Sequence, residues 1–60
     1  MYIIIYDELD SVSNTWIRNK CTTCMEYNEM QNKYYYLTTE MDTKNVRVYR
    51  GTEVYMESEV

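Results

Sequence analysis

The chain has 60 residues and a net charge of −4, from ten acidic and six basic side chains. A chain of this length forms one small domain, residues 1–60, with too little core to enclose a substrate pocket of ordinary size, so we do not expect an enzyme. The acidic balance argues against direct nucleic-acid binding, and no apolar run is long enough to span a membrane. With two cysteines and no apolar leader segment, we expect a cytoplasmic protein with reduced thiols.

The most apolar stretch of the chain is Tyr2-Ile3-Ile4-Ile5-Tyr6. Its β-branched and aromatic side chains predict a strand that is covered on both faces. A sheet of so few residues has one inner face, which either Ile3 and Ile5 or the other three residues can fill. The remaining set would form an exposed apolar patch of the size that marks an interface. We therefore predict a homodimer, or an obligate partner, bound through Tyr2, Ile4 and Tyr6.

The next segment is rich in residues that favour turns and caps, namely Asp, Ser and Asn. Leu9, Val12 and Trp16 have helical spacing, but the residues between them are mediocre helix formers. We predict a loop with one helical turn at most, followed by a strand near Thr15–Cys21. The alternative is a helix over residues 9–20, which would make the fold α+β.

Residues 24–41 alternate in a way that predicts a β-hairpin with its loop at residues 31–33. In this register the two strands share one largely apolar face. The alternation sends Tyr35 inward and leaves Tyr34 and Tyr36 on the outer face.

Residues 42–45 predict a second turn, and the period of two beyond it predicts a further extended segment. Gly51, the only glycine, predicts a bulge, bend or tight turn within that segment. The tail, residues 58–60, is expected to fray. Together these elements predict an all-β fold of four to five short antiparallel strands, arranged as a small sheet or an open barrel.

The motif Cys21-Thr22-Thr23-Cys24 is the one pattern with metal or redox chemistry. A structural zinc site takes four ligands, mostly Cys and His, and the chain has no histidine. We expect no cofactor, with the two thiols acting as small apolar side chains. The alternative is a homodimer in which Cys21 and Cys24 of two chains hold zinc for a structural or regulatory role.

Tyrosines and acidic residues are the candidate partner-binding groups. Tyrosine buries a large area while keeping a polar tip, and carboxylates raise the association rate with a basic partner. The candidates are Tyr34, Tyr36, Tyr49, Tyr55, Asp7, Glu8 and Asp10.

The residue types encoded by AT-rich codons (Tyr, Ile, Asn, Lys and Met) are abundant, whereas the chain has one glycine and no proline. This profile resembles the accessory proteins of bacteriophages that infect low-GC hosts. The resemblance implies a protein that binds a host protein, such as a defence or nucleic-acid enzyme, and inhibits it by covering its surface. The alternative is an acidic mimic of DNA that uses Asp7, Glu8, Asp10, Glu53, Glu57 and Glu59.

Overall fold

The computed structural model describes residues 1–57, which form four strands and one helix. Their order is β1 (Tyr2–Asp10), β2 (Thr15–Cys24), α1 (Tyr27–Thr39), β3 (Thr43–Arg50) and β4 (Glu53–Glu57). The strands form one antiparallel sheet in the order β2-β1-β3-β4, so the apolar first strand lies in its interior. The predicted small antiparallel sheet is therefore confirmed, and it is open rather than closed into a barrel. The predicted fraying of residues 58–60 lies outside the described residues.

The core lies between α1 and one face of the sheet. Ile4 and Val48 are completely buried there, as is Met30 from the helix. The buried cluster consists of Ile4, Cys24, Met30, Leu37, Val46 and Val48, with Tyr2, Tyr6, Tyr34 and Met56 packed against it. In the part of the chain that the structure describes, no helix has the length and apolar character needed to cross a membrane.

Residues 27–39 form the helix α1, so the hairpin predicted for residues 24–41 is wrong. Met30, Tyr34 and Leu37 are spaced by four and three residues, which places them on the one helical stripe that faces the sheet. The ion pair between Glu29 and Lys33, at 3.7 Å, joins half-exposed side chains one turn apart along the helix. The segment satisfies a period of two as well as a helical period, and the helix prevails because it covers the core face of the sheet.

Residues 15–24 form β2, so the predicted strand is confirmed and extends three residues further, and the alternative helix over residues 9–20 is wrong. The turn before this strand is built around Asp10, whose carboxylate accepts hydrogen bonds from the Val12 amide (3.0 Å) and the Ser13 hydroxyl (3.1 Å). These contacts stabilise a turn in place of a helix.

The turn between β3 and β4 occurs at Gly51, as the lone glycine predicted. Its φ of 68° lies in the left-handed region, which glycine adopts without steric cost. The turn predicted for residues 42–45 is shorter, because β3 already begins at Thr43.

The two faces of β1 have different environments. Tyr2, Ile4 and Tyr6 lie on the face that packs under α1, and Ile4 has no exposed surface. Ile4 therefore has no surface to offer a second chain, and Tyr2 and Tyr6 are half-buried against the core of their own subunit, so Tyr2, Ile4 and Tyr6 do not form the exposed apolar patch predicted for self-association. Since successive strand residues alternate between faces, the surplus set is Ile3 and Ile5, on the face away from the helix.

Candidate functional site on the uncovered face of the sheet

An apolar strip runs across the face of the sheet that α1 does not cover. Ile3 pairs with Tyr49, which in turn pairs with Val54 on β4. Ile5 lies two residues further along β1, on the same face. Ile3, Ile5 and Tyr49 are half-buried and Val54 is 52% exposed. We call Ile3, Ile5, Tyr49 and Val54 the apolar strip.

Two β-bulges interrupt the sheet beyond the strip, one on each side of β1. The register between β1 and β2 shifts between Tyr6 and Glu8, and that between β1 and β3 shifts between Ile5 and Asp7. Asn19 and Asn45 provide the left-handed residues of the two irregular segments, with φ values of 58° and 56°. Asparagine tolerates this conformation better than most residues, and a bulge re-aims the side chains beside it.

The two bulges flank Asp7, which is only 7% exposed. Its Oδ1 accepts a hydrogen bond from the backbone N–H of Asn19, at 3.1 Å. Arg47 fixes both bulges, because its Nη2 donates to Asn19 Oδ1 at 2.6 Å and its Nη1 donates to the Asn45 carbonyl oxygen at 2.8 Å. The geometry around the carboxylate is therefore held by hydrogen bonds from both neighbouring strands.

A cleft of about 410 Å³ opens at this position, lined by Asp7, Trp16, Arg18, Asn19, Lys44 and Asn45. The Lys44 ammonium lies 4.2 Å from the centre of the Trp16 ring, which is a cation–π contact. We call this cleft, together with Arg47 beside it, the cationic notch.

The notch is positive although the whole chain is negative. Within residues 1–57 the ion pairs are Lys20–Glu8 at 2.7 Å and Lys33–Glu29 at 3.7 Å. Arg18, Lys44 and Arg47 therefore have no carboxylate oxygen within 4 Å among the described residues. Three cationic side chains and one buried carboxylate thus belong to the notch, which gives it a net positive charge.

The tyrosines of α1 are oriented by the helix rather than by strand alternation. Tyr34 packs against the core, where burial raises the pKa of its hydroxyl, and Tyr35 is 70% exposed. The orientations predicted for these two residues are therefore wrong. Tyr36 is exposed as predicted, and a hydrogen bond with Glu40 raises its pKa.

The remaining candidate tyrosines lie on opposite faces of the sheet. Tyr55 forms edge-on ring contacts with Tyr2 and Tyr27, at centroid distances of 5.6 and 6.5 Å, on the helix side. Tyr49 belongs to the apolar strip on the other side. The candidate tyrosines therefore do not form one binding surface.

The acidic candidates are separated as well. Asp7 is buried in the notch, while Glu8 forms its ion pair with Lys20 and thereby raises the pKa of the lysine. Asp10 accepts the amide hydrogen of Val12, which lowers the pKa of its carboxyl group. Each of these three acids has an intramolecular partner. Glu59 lies outside the described residues, and the acidic mimic of DNA stays a prediction.

The two cysteines lie on opposite faces of β2. Cys24 is 1% exposed in the core, and this burial raises its thiol pKa, whereas Cys21 is exposed on the uncovered face beside Ile5. Residues three apart in a strand point in opposite directions, so the two thiols of one chain point away from each other, and the homodimer in which they hold zinc stays a prediction. Among residues 1–57 no three His, Cys, Asp or Glu side chains are grouped to hold a metal ion.

The notch residues other than Asp7 were not identified from the sequence. The available signal was the repetition of a cationic residue followed by asparagine, Arg18-Asn19 and Lys44-Asn45, each in a segment with strand character. This pattern is recognisable only when the pairing brings the two segments to either side of Asp7.

Comparisons with protein-family models, with curated proteins and with solved structures found no match to this chain.

Proposed function

We propose that this chain is a small accessory protein that binds a protein partner through the uncovered face of its sheet. In keeping with its phage-like composition, we further propose that the partner is a host protein, such as a defence or nucleic-acid enzyme, which the chain inhibits by covering its surface. The observation that carries the proposal is the apolar strip at outward-facing positions, immediately beside the cationic notch.

The residue types on the strip support a binding role. An antiparallel sheet with one solvated face normally alternates apolar and polar residues, with polar side chains outward. In this chain the outward positions of the central strand are Ile3 and Ile5, and their neighbour across β3 is Tyr49. Exposed apolar side chains bordered by charged groups are typical of protein interfaces.

The chemistry of the chain favours binding over catalysis. The chain has no histidine to act as a general base at neutral pH. The cysteine exposed on the uncovered face, Cys21, is paired with Ile5 in the sheet register. These surroundings are suited to a contact surface.

Affinity capture with matched variants tests the proposal. Lysates of bacteria with AT-rich genomes are passed over the wild-type chain, an Ile3→Thr/Ile5→Thr variant that preserves strand propensity, and a Tyr35→Ser/Tyr36→Ser control on the outer side of α1. We expect one host protein to be retained by the wild type and the control and to fall at least about tenfold with the threonine variant. Activity of the captured protein should fall when the wild-type chain is added.

Three outcomes would overturn the proposal. They are retention of the same protein by the threonine variant, its loss with the α1 control, and the absence of any retained macromolecule. Circular dichroism spectra of each variant are compared with that of the wild type to test whether the fold is kept.

We propose that the homodimer expected from the sequence would use the same strip, since Ile4 is buried under α1 and Tyr2 and Tyr6 pack against the core. We propose that self-association and partner binding therefore compete. Sedimentation equilibrium of the wild type and the Ile3→Thr/Ile5→Thr variant measures whether the chain self-associates through the strip. A wild-type chain that sediments as a monomer at micromolar concentration would remove the homodimer and leave the strip free for the host protein.

A further inference from the structure

We infer that the cationic notch binds a carboxylate of the partner, namely a glutamate or aspartate side chain in an acidic segment that lies across the apolar strip. This inference rests on the proposed function and specifies the chemistry of the partner. The strip would contact the apolar side chains of that segment, and the notch would select a negative charge at one end of it.

The charges of the notch are not balanced within the described chain. Arg18, Lys44 and Arg47 have no carboxylate oxygen within 4 Å, and Asp7 compensates one charge of the three. Glu57 is the cross-strand neighbour of Arg47 but is not within ion-pair distance. The notch therefore has the net positive charge that complements an anionic side chain.

Two of the cations are already positioned before any ligand binds. Arg47 is anchored on Asn19 and on the Asn45 carbonyl, and Lys44 is held over the Trp16 ring. Because these side chains lose little freedom when a ligand arrives, binding a carboxylate costs less conformational entropy. Guanidinium groups also match the planar geometry of a carboxylate.

The surroundings favour a protein carboxylate over a nucleic acid. A base would need a free aromatic face for stacking, and the Lys44 ammonium already occupies one face of the Trp16 ring, at 4.2 Å from its centre. The neighbouring surface is aliphatic, from Ile3 and Ile5, and the chain carries a net charge of −4 that repels a phosphate backbone.

A second copy of this chain fits the notch poorly. Among the strand residues that the structure describes, Asp7 and Glu57 are the acidic residues that the register places on the uncovered face. Asp7 is buried inside the notch itself, and Glu57 lies next to Arg47 on the same chain. A copy laid on this face thus has few carboxylates to offer, whereas an acidic partner segment has them.

Titration with short peptides tests the inference directly. The probe is a synthetic strand-forming peptide of alternating valine and glutamate, compared with the same peptide carrying glutamine, with inorganic phosphate and with single-stranded oligo-dT. Binding is followed by nuclear magnetic resonance at the amides of Asn19 and Asn45 and at the Trp16 indole N–H. We expect the glutamate peptide to shift these signals and to bind at least about tenfold more tightly than the glutamine peptide, with the difference shrinking at high salt.

Variants that remove single charges test which side chains bind the glutamate peptide. Arg18→Gln and Lys44→Gln should each weaken binding of the glutamate peptide by about threefold to tenfold, and Lys33→Gln on α1 should leave it unchanged. Equal binding of the two peptides, tighter binding of phosphate or oligo-dT, or an equal loss with Lys33→Gln would overturn the inference.

The two proposals fail in different ways. If the host protein of the capture experiment is retained undiminished by Lys44→Gln but lost with Ile3→Thr/Ile5→Thr, the carboxylate inference is wrong and the proposed function stands. Loss of capture with both variants supports both.

Discussion

The covered and the uncovered faces of the sheet are formed by the same strands, yet their apolar side chains are buried to different extents. On the covered face Ile4 and Val48 have no exposed surface, and a single helix of 13 residues provides the cover. On the uncovered face Ile3 and Ile5 are half-buried and Val54 is 52% exposed. One helix covers one face only, so the apolar residues of the other face keep part of their surface in contact with solvent, and this exposed apolar surface is the reason for proposing a partner.

The charged side chains of the two faces also differ, in whether they form ion pairs within the chain. The ion pairs of the helix side, Lys20–Glu8 and Lys33–Glu29, are formed within the chain. The cations of the uncovered face surround Asp7 without an ion pair among the described residues. The helix side therefore has its charges paired within the chain, whereas the uncovered side has unpaired cations that the proposed partner would contact.

The largest expected effect comes from truncating matched isoleucines of β1. Ile4→Ala removes a completely buried side chain and should lower the free energy of unfolding by about 2–5 kcal/mol. Ile5→Ala, one residue away on the uncovered face, should lower it by about 1 kcal/mol or less, because its side chain is already in contact with water. Urea denaturation followed by circular dichroism measures both.

If Ile4→Ala fails to fold, Ile4→Val provides the milder comparison, with an expected loss of about 0.5–1.5 kcal/mol. Ile5→Val should then have almost no effect. Equal losses for the two positions would mean that the uncovered face is packed as tightly as the core and is not a free binding surface.

A smaller effect is expected at the bulge that shapes the notch. Asn45 has a φ of 56°, so Asn45→Ala should be less stable than Asn45→Gly by about 1–2 kcal/mol, since alanine is strained in the left-handed region. Asn32, which is exposed within α1, is the control. There the order should reverse, with glycine less stable than alanine by about 1 kcal/mol. The same order at both positions, measured by urea denaturation, would contradict the bulge.

The strands could be predicted from the sequence where their composition fits one structure only. The apolar β-branched run of β1, the strand beginning at Thr15 and the turn at Gly51 are of this kind. The helix could not, because residues 27–39 satisfy both a period of two and a helical period. The choice between them depends on the sheet face that needs cover, which is a tertiary effect.

The notch was unpredictable for a related reason. Its residues come from three strands, and the bulges at Asn19 and Asn45 decide which side chains meet beside Asp7. A shift of one residue in either strand reverses the face of every side chain beyond it, so spacing along the chain does not reveal the cluster.

The smallest expected effect concerns reactivity rather than stability, and it uses the two cysteines of β2 as reporters of the two faces. Cys21 is exposed on the uncovered face, so it should react with a thiol reagent at neutral pH at nearly the rate of an unfolded chain. Cys24 is buried, and burial raises its thiol pKa, so less of the reactive thiolate forms and the reagent reaches it only when the structure opens. Mass spectrometry of partly labelled protein should therefore show labelling at Cys21 first, and in concentrated urea both should react alike.

Labelling of both thiols at one rate in the folded protein would place them in the same environment and remove the distinction between the faces. Addition of the bound partner should slow the reaction of Cys21 and leave that of Cys24 no faster, because only the uncovered face lies in the proposed interface.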